Sequence, residues 1–230
     1  MRCDVIILAG GKGTRLSGVV SDRPKPMALV NGIPFLELVM RDLKLKGYGN
    51  VILATGYMAE KIHSHFSTVE NDLNIIFSEE CQPLGTGGAV RLALEHVQTE
   101  HVIIINGDTF TSCDLNAFEE AHSKAKAPFA MVTTEVEDVG RYGAIQIVDD
   151  APAYFSEKGQ SGPGLINAGI YRIPRLELLK IELGLNFSFE DDFVLPNILE
   201  GNFSHFVHNG YFIDIGVPSD YERASQTMST

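Results

Sequence analysis

The 230-residue chain is 44% hydrophobic and 21% charged, which is enough for one large α/β domain with a substantial core and too short for two ordinary domains and a linker. Its net charge of −12 argues against nucleic acid or an anionic membrane surface as a partner. Residues 1–25 depart from that balance: Arg2, Lys12, Arg15, Arg23 and Lys25 face only Asp4 and Asp22, a local +3 that suits a small anionic ligand.

Residues 5–9 (VIILA) are a continuous apolar run of the kind that forms a strand buried on both faces. The run ends in Gly10-Gly11-Lys12-Gly13-Thr14-Arg15. Without Cβ atoms, backbone N–H groups there can lie against a polyphosphate, and Arg15 and Lys25 add positive charge. An ordinary glycine-rich turn with solvated cations has the same composition. A Walker loop does not fit, and a dinucleotide fingerprint begun at Gly11 and Gly13 fails at Leu16.

Helical spacing follows Pro34-Phe35 through Leu36, Val39, Met40 and Leu43, ending near Gly47. Strands are predicted at 50–55, 74–78, 101–106 and 129–134, and helices at 58–66, 88–97 and 115–124. Continuous apolar strands alternating with helices predict a Rossmann-like, mostly parallel central sheet with helices on both faces. Ligands bind such sheets at the carboxyl ends of the strands, where the 10–15 loop and Gly107-Asp108 both fall.

The second half carries β-type runs at 144–148, 154–157, 165–172 and 205–213, with helices near 175–179 and 188–199. It reads as a β-rich extension on the same, mixed sheet, forming the acceptor side of a cleft. Ser188-Phe189-Glu190-Asp191 has capping-box spacing, which assigns its acids to a helix cap rather than a metal. The last six residues, 225–230, are expected to fray. The whole is read as one domain, 1–230, with a nucleotide-binding half over about 1–135 and an acceptor half over about 136–230.

The first residues enter a strand without a basic leader and cleavage site, and no apolar run is long enough to span a bilayer. Cys3, Cys81 and Cys113 are odd in number and lack zinc spacing. A cytoplasmic protein is the expectation. Cys81 is read as structural, and the seven histidines show no ligand spacing.

Asp108 follows a buried strand and a glycine, and Asp214 interrupts the apolar Phe212-Ile213-Asp214-Ile215-Gly216. Burying one carboxylate is costly unless it is paired or capped, and a single such acid is usually structural. Two beside a phosphate loop suit Mg²⁺, which takes one or two carboxylates together with substrate phosphate oxygens. Gln82-Pro83-Leu84-Gly85-Thr86-Gly87-Gly88 is a Pro/Gly turn before a helix. The Gln82 amide offers donor and acceptor to a nucleobase edge, and Gly87 and Gly88 would let a base approach the backbone.

LAGGKGTRL (residues 8–16) followed by Pro24-Lys25-Pro26-Met27 resembles the signature of the sugar-1-phosphate nucleotidyltransferases. The likeness runs over essentially the whole chain, through QPLGTGGAV, NGDTF, RYGAI, LINAGIY, FSFEDDF and YFIDIGVPSDY. It implies a glycosyltransferase-A-like nucleotidyltransferase fold and transfer of a nucleoside monophosphate from an NTP to a sugar 1-phosphate, with release of pyrophosphate. On this resemblance Leu8, Ala9, Gly10, Gly11, Gly13, Thr14, Arg15, Gln82, Gly87 and Gly88 bind the nucleotide. Arg15 holds the β- and γ-phosphates, Lys25 bridges the α-phosphate and the sugar phosphate, and Asp108 and Asp214 hold Mg²⁺.

Tyr142, Gly143, Glu157, Lys158, Asn167 and Ala168, together with Lys25, are the implied sugar-phosphate positions. By residue type alone Glu157-Lys158 is a solvated pair and Asn167 a turn residue. The short chain, without a C-terminal β-helix, most resembles members that transfer GMP from GTP to a heptose 1-phosphate for bacterial surface glycans. Guanylyl transfer to mannose 1-phosphate and uridylyl transfer to N-acetylmuramate 1-phosphate stay open. So does a non-catalytic nucleotide-sugar-binding member, against which the complete set Arg15, Lys25, Asp108 and Asp214 argues.

Overall fold

The structure, a computed structural model, describes residues 2–13, 16, 18–69, 72–149, 151–155 and 161–228. Strand β1 (Asp4–Leu8) runs into the glycine loop. A 3-10 turn over Lys25–Met27 and a small hairpin, β2 (Leu29–Val30) and β3 (Ile33–Pro34), then lead into helix α1 (Phe35–Leu45). Strands and helices alternate through β4 (Asn50–Thr55), α2 (Ala59–Thr68), β5 (Asn74–Glu79), α3 (Gly85–Ala93) and β6 (His101–Asn106). Short β7 (Thr109–Thr111) precedes α4 (Leu115–Lys124), which is capped by the Asp114 carboxylate on the N–H groups of Asn116 and Ala117, and then β8 (Phe129–Val136).

The second half supplies β9 (Ile145–Val148), β10 (Ala151–Phe155), the long β11 (Gly164–Pro174) and α5 (Arg175–Leu179). A π-helical turn (Glu190–Val194) continues into α6 (Leu195–Leu199), followed by β12 (Phe203–His208), β13 (Phe212–Asp214) and α7 (Pro218–Thr227).

The main sheet has the order β5, β4, β1, β6, β11, β8, β12. Its first four strands are parallel, β11 runs antiparallel to both neighbours, and the β9–β10 hairpin joins β11 where Leu165 pairs with Ile145. Alternate side chains explain the unbroken apolar runs. Val5 and Ile7 of β1 join Ile103 and Ile105 of β6 in a core that also holds Phe35 of α1, Ile62 of α2, Phe118 of α4 and Ala224 of α7. Ile6, Ile52 and Ile104 point the other way, onto Val90 of α3, Val194 and Ile198. Both faces are covered, so the central strands are apolar nearly throughout, and each fully buried Ile contributes about 1.5–3 kcal/mol. Among the described residues no helix is long and apolar enough to cross a membrane.

The structure corrects three expectations. Helix α3 starts at Gly85, three residues before the predicted start at Gly88. Residues 205–213 are two strands in different sheets: β12 pairs in parallel with β8, and β13 pairs with β7. At the break, a Cβ on Gly210 would come within 2.5 Å of the His208 ring, so the chain reverses there only as glycine. The tail does not fray over 225–228. Helix α7 runs to Thr227, whose hydroxyl meets the Tyr211 hydroxyl at 2.6 Å. The Met228 side chain is buried and its carbonyl accepts from Asn31 Nδ2 at 3.1 Å.

Candidate active site

The site forms where four chain-distant segments meet at the carboxyl edge of β1 and β6. Gly107 N–H donates to the Leu8 carbonyl at 3.0 Å, and a Cβ at 107 would come within 2.6 Å of that same oxygen. Glycine therefore lets the two strand ends close on each other, with Asp108 emerging beside the glycine loop. Strand β13 brings the other acid: Asp214 lies in register with Thr109, and Ile215 N–H donates to the Asp108 carbonyl at 3.0 Å.

Lys25 completes the cluster. Its side chain is only 9% exposed. Its Nζ bonds Asp108 Oδ2 and lies 3.5 Å from Asp214 Oδ1. The aliphatic stem crosses Gly13, which has φ +58°, and a Cβ there would sit 2.6 Å from the Lys25 Cβ. One ammonium thus ties the loop to both carboxylates. Gly216 serves the same cluster, donating its N–H to Asp214 Oδ1 at 2.7 Å where a side chain would strike both Asp214 and Lys25 Nζ. Burial and the neighbouring Asp108 raise the Asp214 pKa, against the pull of Lys25 and Arg141.

Arg141 and Asp220 belong to this cluster although neither was singled out in the sequence. The Arg141 guanidinium lies 3.0 Å from Asp214 Oδ2, bonds Asp220, and sits over the Tyr142 ring with its carbon 4.5 Å from the centroid. Tyr142 is thereby joined to the acid cluster, and its ring packs edge-on against Phe212 at 6.0 Å between centroids. Gly143, at φ +87°, turns the chain by donating its N–H to the Val139 carbonyl.

On the nucleotide side, Gly10 and Gly11 lie in the loop, and Gly11 has open space where a Cβ would be. Leu8 and Ala9 pack inward, the Leu8 carbonyl accepts from Gly107 N–H, and Ala9 N–H is taken by the Ala54 carbonyl. Thr14 and Arg15 lie outside the described residues. Gln82 is exposed on the turn before α3.

Gly87 and Gly88 do not present an open backbone face. Gly87 N–H donates to the Phe187 carbonyl at 2.9 Å, and a Cβ on Gly87 would lie 2.0 Å from the Phe187 ring. Gly88 is closed off in the same way by the Leu185 carbonyl at 2.5 Å. Their lack of a side chain serves close packing of α3 against residues 185–187. Thr86 takes part too, its hydroxyl accepting from Phe189 N–H at 2.8 Å. Cys81 is exposed and supplies no core packing, contrary to the structural role expected of it.

The residue that does face the loop is Glu80. Its Oε1 accepts from Leu84 N–H at 3.3 Å, and its Oε2 overhangs the backbone of Gly10 and Gly56, where Cβ atoms would come within 3.3 and 2.8 Å. Burial raises its pKa, and among the described residues no cation pairs with it. The signal was present in the sequence as an acid between a strand end and a Pro/Gly turn.

On the acceptor side, Glu157 and Lys158 lie outside the described residues. The Ala168 methyl is fully buried in the core, so any contact there comes from its backbone. Asn167 sits where the β11–β8 register shifts, and both ends of its amide are engaged: Oδ1 accepts from Gly169 N–H at 2.9 Å and Nδ2 donates to the Tyr171 hydroxyl at 2.6 Å.

The family model for nucleotidyl transferases matches residues 4–230. The chain belongs to the nucleotidyl transferase family. It is 40% identical over 226 residues to a D-glycero-α-D-manno-heptose 1-phosphate guanylyltransferase of Aneurinibacillus thermoaerophilus, with 98% of each chain covered. To a protein of the same name from Campylobacter jejuni it is 39% identical, with 94% of this chain and 96% of the relative covered. HddC from Yersinia pseudotuberculosis, solved in complex with GMP-PN, superposes with a TM-score of 0.88 at 39% identity, over 99% of this chain and 100% of that one. The fold is accordingly that of a nucleotidyltransferase.

In a nucleotidyl transferase the acid pair is also where a divalent cation is to be tested. Asp108 and Asp214 converge on one point, and in this structure an ammonium occupies it. Hard oxygen donors aimed at one positive charge fit a small divalent cation. Among the described residues no group of three or more His, Cys, Asp or Glu is arranged to hold a metal, so phosphate oxygens and water would complete the shell.

Proposed function

We propose that the chain transfers GMP from GTP to D-glycero-α-D-manno-heptose 1-phosphate, giving a GDP-heptose for bacterial surface glycans and pyrophosphate. The observation that carries the transfer reading is Lys25, packed across Gly13 and held between Asp108 and Asp214, so that phosphate loop, cation and paired acids share one place. A sugar-phosphate oxygen attacks the α-phosphorus in line. The new P–O bond forms as the bond to the β-phosphate breaks, and pyrophosphate leaves with that electron pair. The attacking phosphate is already an anion, so no side-chain base is required, and the protein contributes position and charge. Mg²⁺ held by Asp108 and Asp214 would neutralise charge on the transferring phosphoryl group. Lys25 meets the α-phosphate and the sugar phosphate, and the glycine loop with Arg15 holds the β- and γ-phosphates. The sugar-phosphate contacts are assigned to Tyr142, Gly143, Glu157, Lys158, Asn167 and the backbone of Ala168. The site spans both halves of one domain, 1–230, in a cytoplasmic protein whose three free cysteines suit a reducing compartment.

Glu80 favours guanine over the other bases. Guanine presents N1–H and N2–H₂ side by side, two donors for one carboxylate. The Watson–Crick edge of uracil or thymine has a single N–H between two carbonyls and meets the same carboxylate with repulsion. Gln82, exposed on the turn, offers both a donor and an acceptor to the remaining base edge. The test is pyrophosphate release from a matrix of four NTPs against heptose, mannose, glucose and N-acetylmuramate 1-phosphates. GTP with the heptose phosphate is expected to be the best pair. Another best pair overturns the substrate reading, and no release from any pair leaves a non-catalytic binding protein.

A further inference from the structure

Ser188-Phe189-Glu190-Asp191 has helix-cap spacing, and Asp191 with the next acid, Asp192, does that work. Asp191 N–H donates to Ser188 Oγ at 3.1 Å, and Ser188 N–H donates to Asp192 Oδ2 at 2.7 Å. Glu190 turns away from the cap. Its Oε1 accepts from Asn106 Nδ2 at 3.1 Å and from the Tyr171 hydroxyl at 2.9 Å, joining β6 to β11.

This carboxylate is held by a relay. Gly169 N–H donates to Asn167, the Asn167 amide donates to the Tyr171 hydroxyl, and that hydroxyl donates to Glu190. Gly169, at φ +71°, brings β11 onto the Asn106 side chain so closely that a Cβ would lie 2.8 Å from Nδ2. The Tyr171 ring is fully buried and packs edge-on against Phe189 at 5.2 Å between centroids. Backbone and neighbours thus fix one oxygen of Glu190. The other has no partner among the described residues, and the side chain is exposed. Asn106 ends β6 two residues before Asp108, so Glu190 is tied to the strand end that leads into the acid cluster, and through Tyr171 to Asn167 of the acceptor half.

We propose that Glu190 binds ring hydroxyls of the acceptor sugar. A carboxylate is acceptor-only and takes hydroxyl protons strongly, and one that is already oriented loses little side-chain freedom on binding. Asn167, Tyr171 and Asn106 are positioning residues for it. This assignment rests on the sugar 1-phosphate reading of the site.

The experiment is steady-state pyrophosphate release with GTP and the best sugar 1-phosphate, repeated with its monodeoxy analogues. Glu190→Gln is expected to raise the sugar-phosphate KM about 10- to 100-fold, as loss of a charge-assisted hydrogen bond does, while the GTP KM and kcat stay within about threefold. On the analogue that lacks the bound hydroxyl, wild type and variant should converge to within about threefold. Tyr171→Phe, which removes one of the two donors, should shift the same KM in the same direction by a smaller factor, and its melting temperature reports any packing loss separately. A KM that does not move, a GTP KM that moves with it, or a penalty equal on every analogue overturns the assignment and leaves Glu190 as a tie between strands. Wild-type protein that releases no pyrophosphate with any sugar 1-phosphate overturns the underlying reading and this assignment together.

Discussion

The two halves of the molecule build their parts of the site by different means. In the nucleotide half, parallel strands β1, β4, β5 and β6 deliver their ends to one edge, and the functional groups there are glycine backbone and residues directly after a strand. In the acceptor half no strand end does this alone. Asp214 arrives through a ladder with β7, Asn167 through a register shift in β11, and Glu190 from a π-helical turn, each depending on a partner far away in sequence. The first half takes its geometry from periodicity, the second from contacts.

The hardest test of that division is the point where the halves meet. Lys25→Ala or Asp108→Ala should lower pyrophosphate release by about 10³-fold or more, because the lost charge acts where the phosphoryl is transferred. Circular dichroism should stay native, since both residues lie at the sheet edge and not in its core. Near-normal turnover in either variant would break the link between the halves.

Gly87→Ala tests whether the turn before α3 serves packing or a base. The added methyl meets the Phe187 ring at 2.0 Å and should cost about 1–3 kcal/mol in urea unfolding. Phe187→Ala in the same chain should recover part of that loss. If Gly87→Ala instead left stability unchanged and weakened only GTP binding, the packing account would fail.

A narrower effect is expected at Glu80. With Glu80→Gln the preference for GTP over ITP, which lacks the 2-amino group, should shrink about tenfold, read by titration calorimetry. An unchanged ratio would move base recognition to Gln82.

The smallest effect lies far from the site, in a buried polar group that joins β11 of the second half to α4 of the first. His122 Nδ1 accepts from Arg172 at 2.8 Å, and burial together with that cation lowers its pKa from 6.5 to about 4. The unfolded chain takes up this proton near pH 6.5 while the folded chain does so near pH 4. In that window the unfolded state binds more protons, and stability falls as pH falls. His122→Gln should flatten the urea midpoint between pH 6.5 and 4, and an equally steep slope would assign the loss to other groups.

Legibility followed the same division. Residues 101–106 and 115–124 were read to the residue, because a doubly covered strand is apolar throughout and α4 carries a 3.6-residue stripe. Leu8 to Gly13 and Asp108 could be placed for the same reason, since each borders such an element, whereas Lys25 stands in a short 3-10 turn and was legible only through the resemblance. The three-residue strand β7 carries too little pattern to announce itself. Glu80, Arg141 and Glu190 each look like ordinary surface charges, and their meaning depends on Gly10 and Gly56, Asp214 and Asp220, and Asn106 and Tyr171 respectively.

By itself the sequence determined the parallel sheet, the glycine loop and the order in which charged residues reach the carboxyl edge, because these follow from local periodicity and from the missing Cβ of glycine. Only the tertiary structure decided that Lys25 lies between Asp108 and Asp214, that Gly87 is filled by Phe187, and that Glu190 leaves its helix cap for β6 and β11. Those are meetings of residues about 20 to 190 positions apart, set by strand pairing and packing that no local pattern encodes.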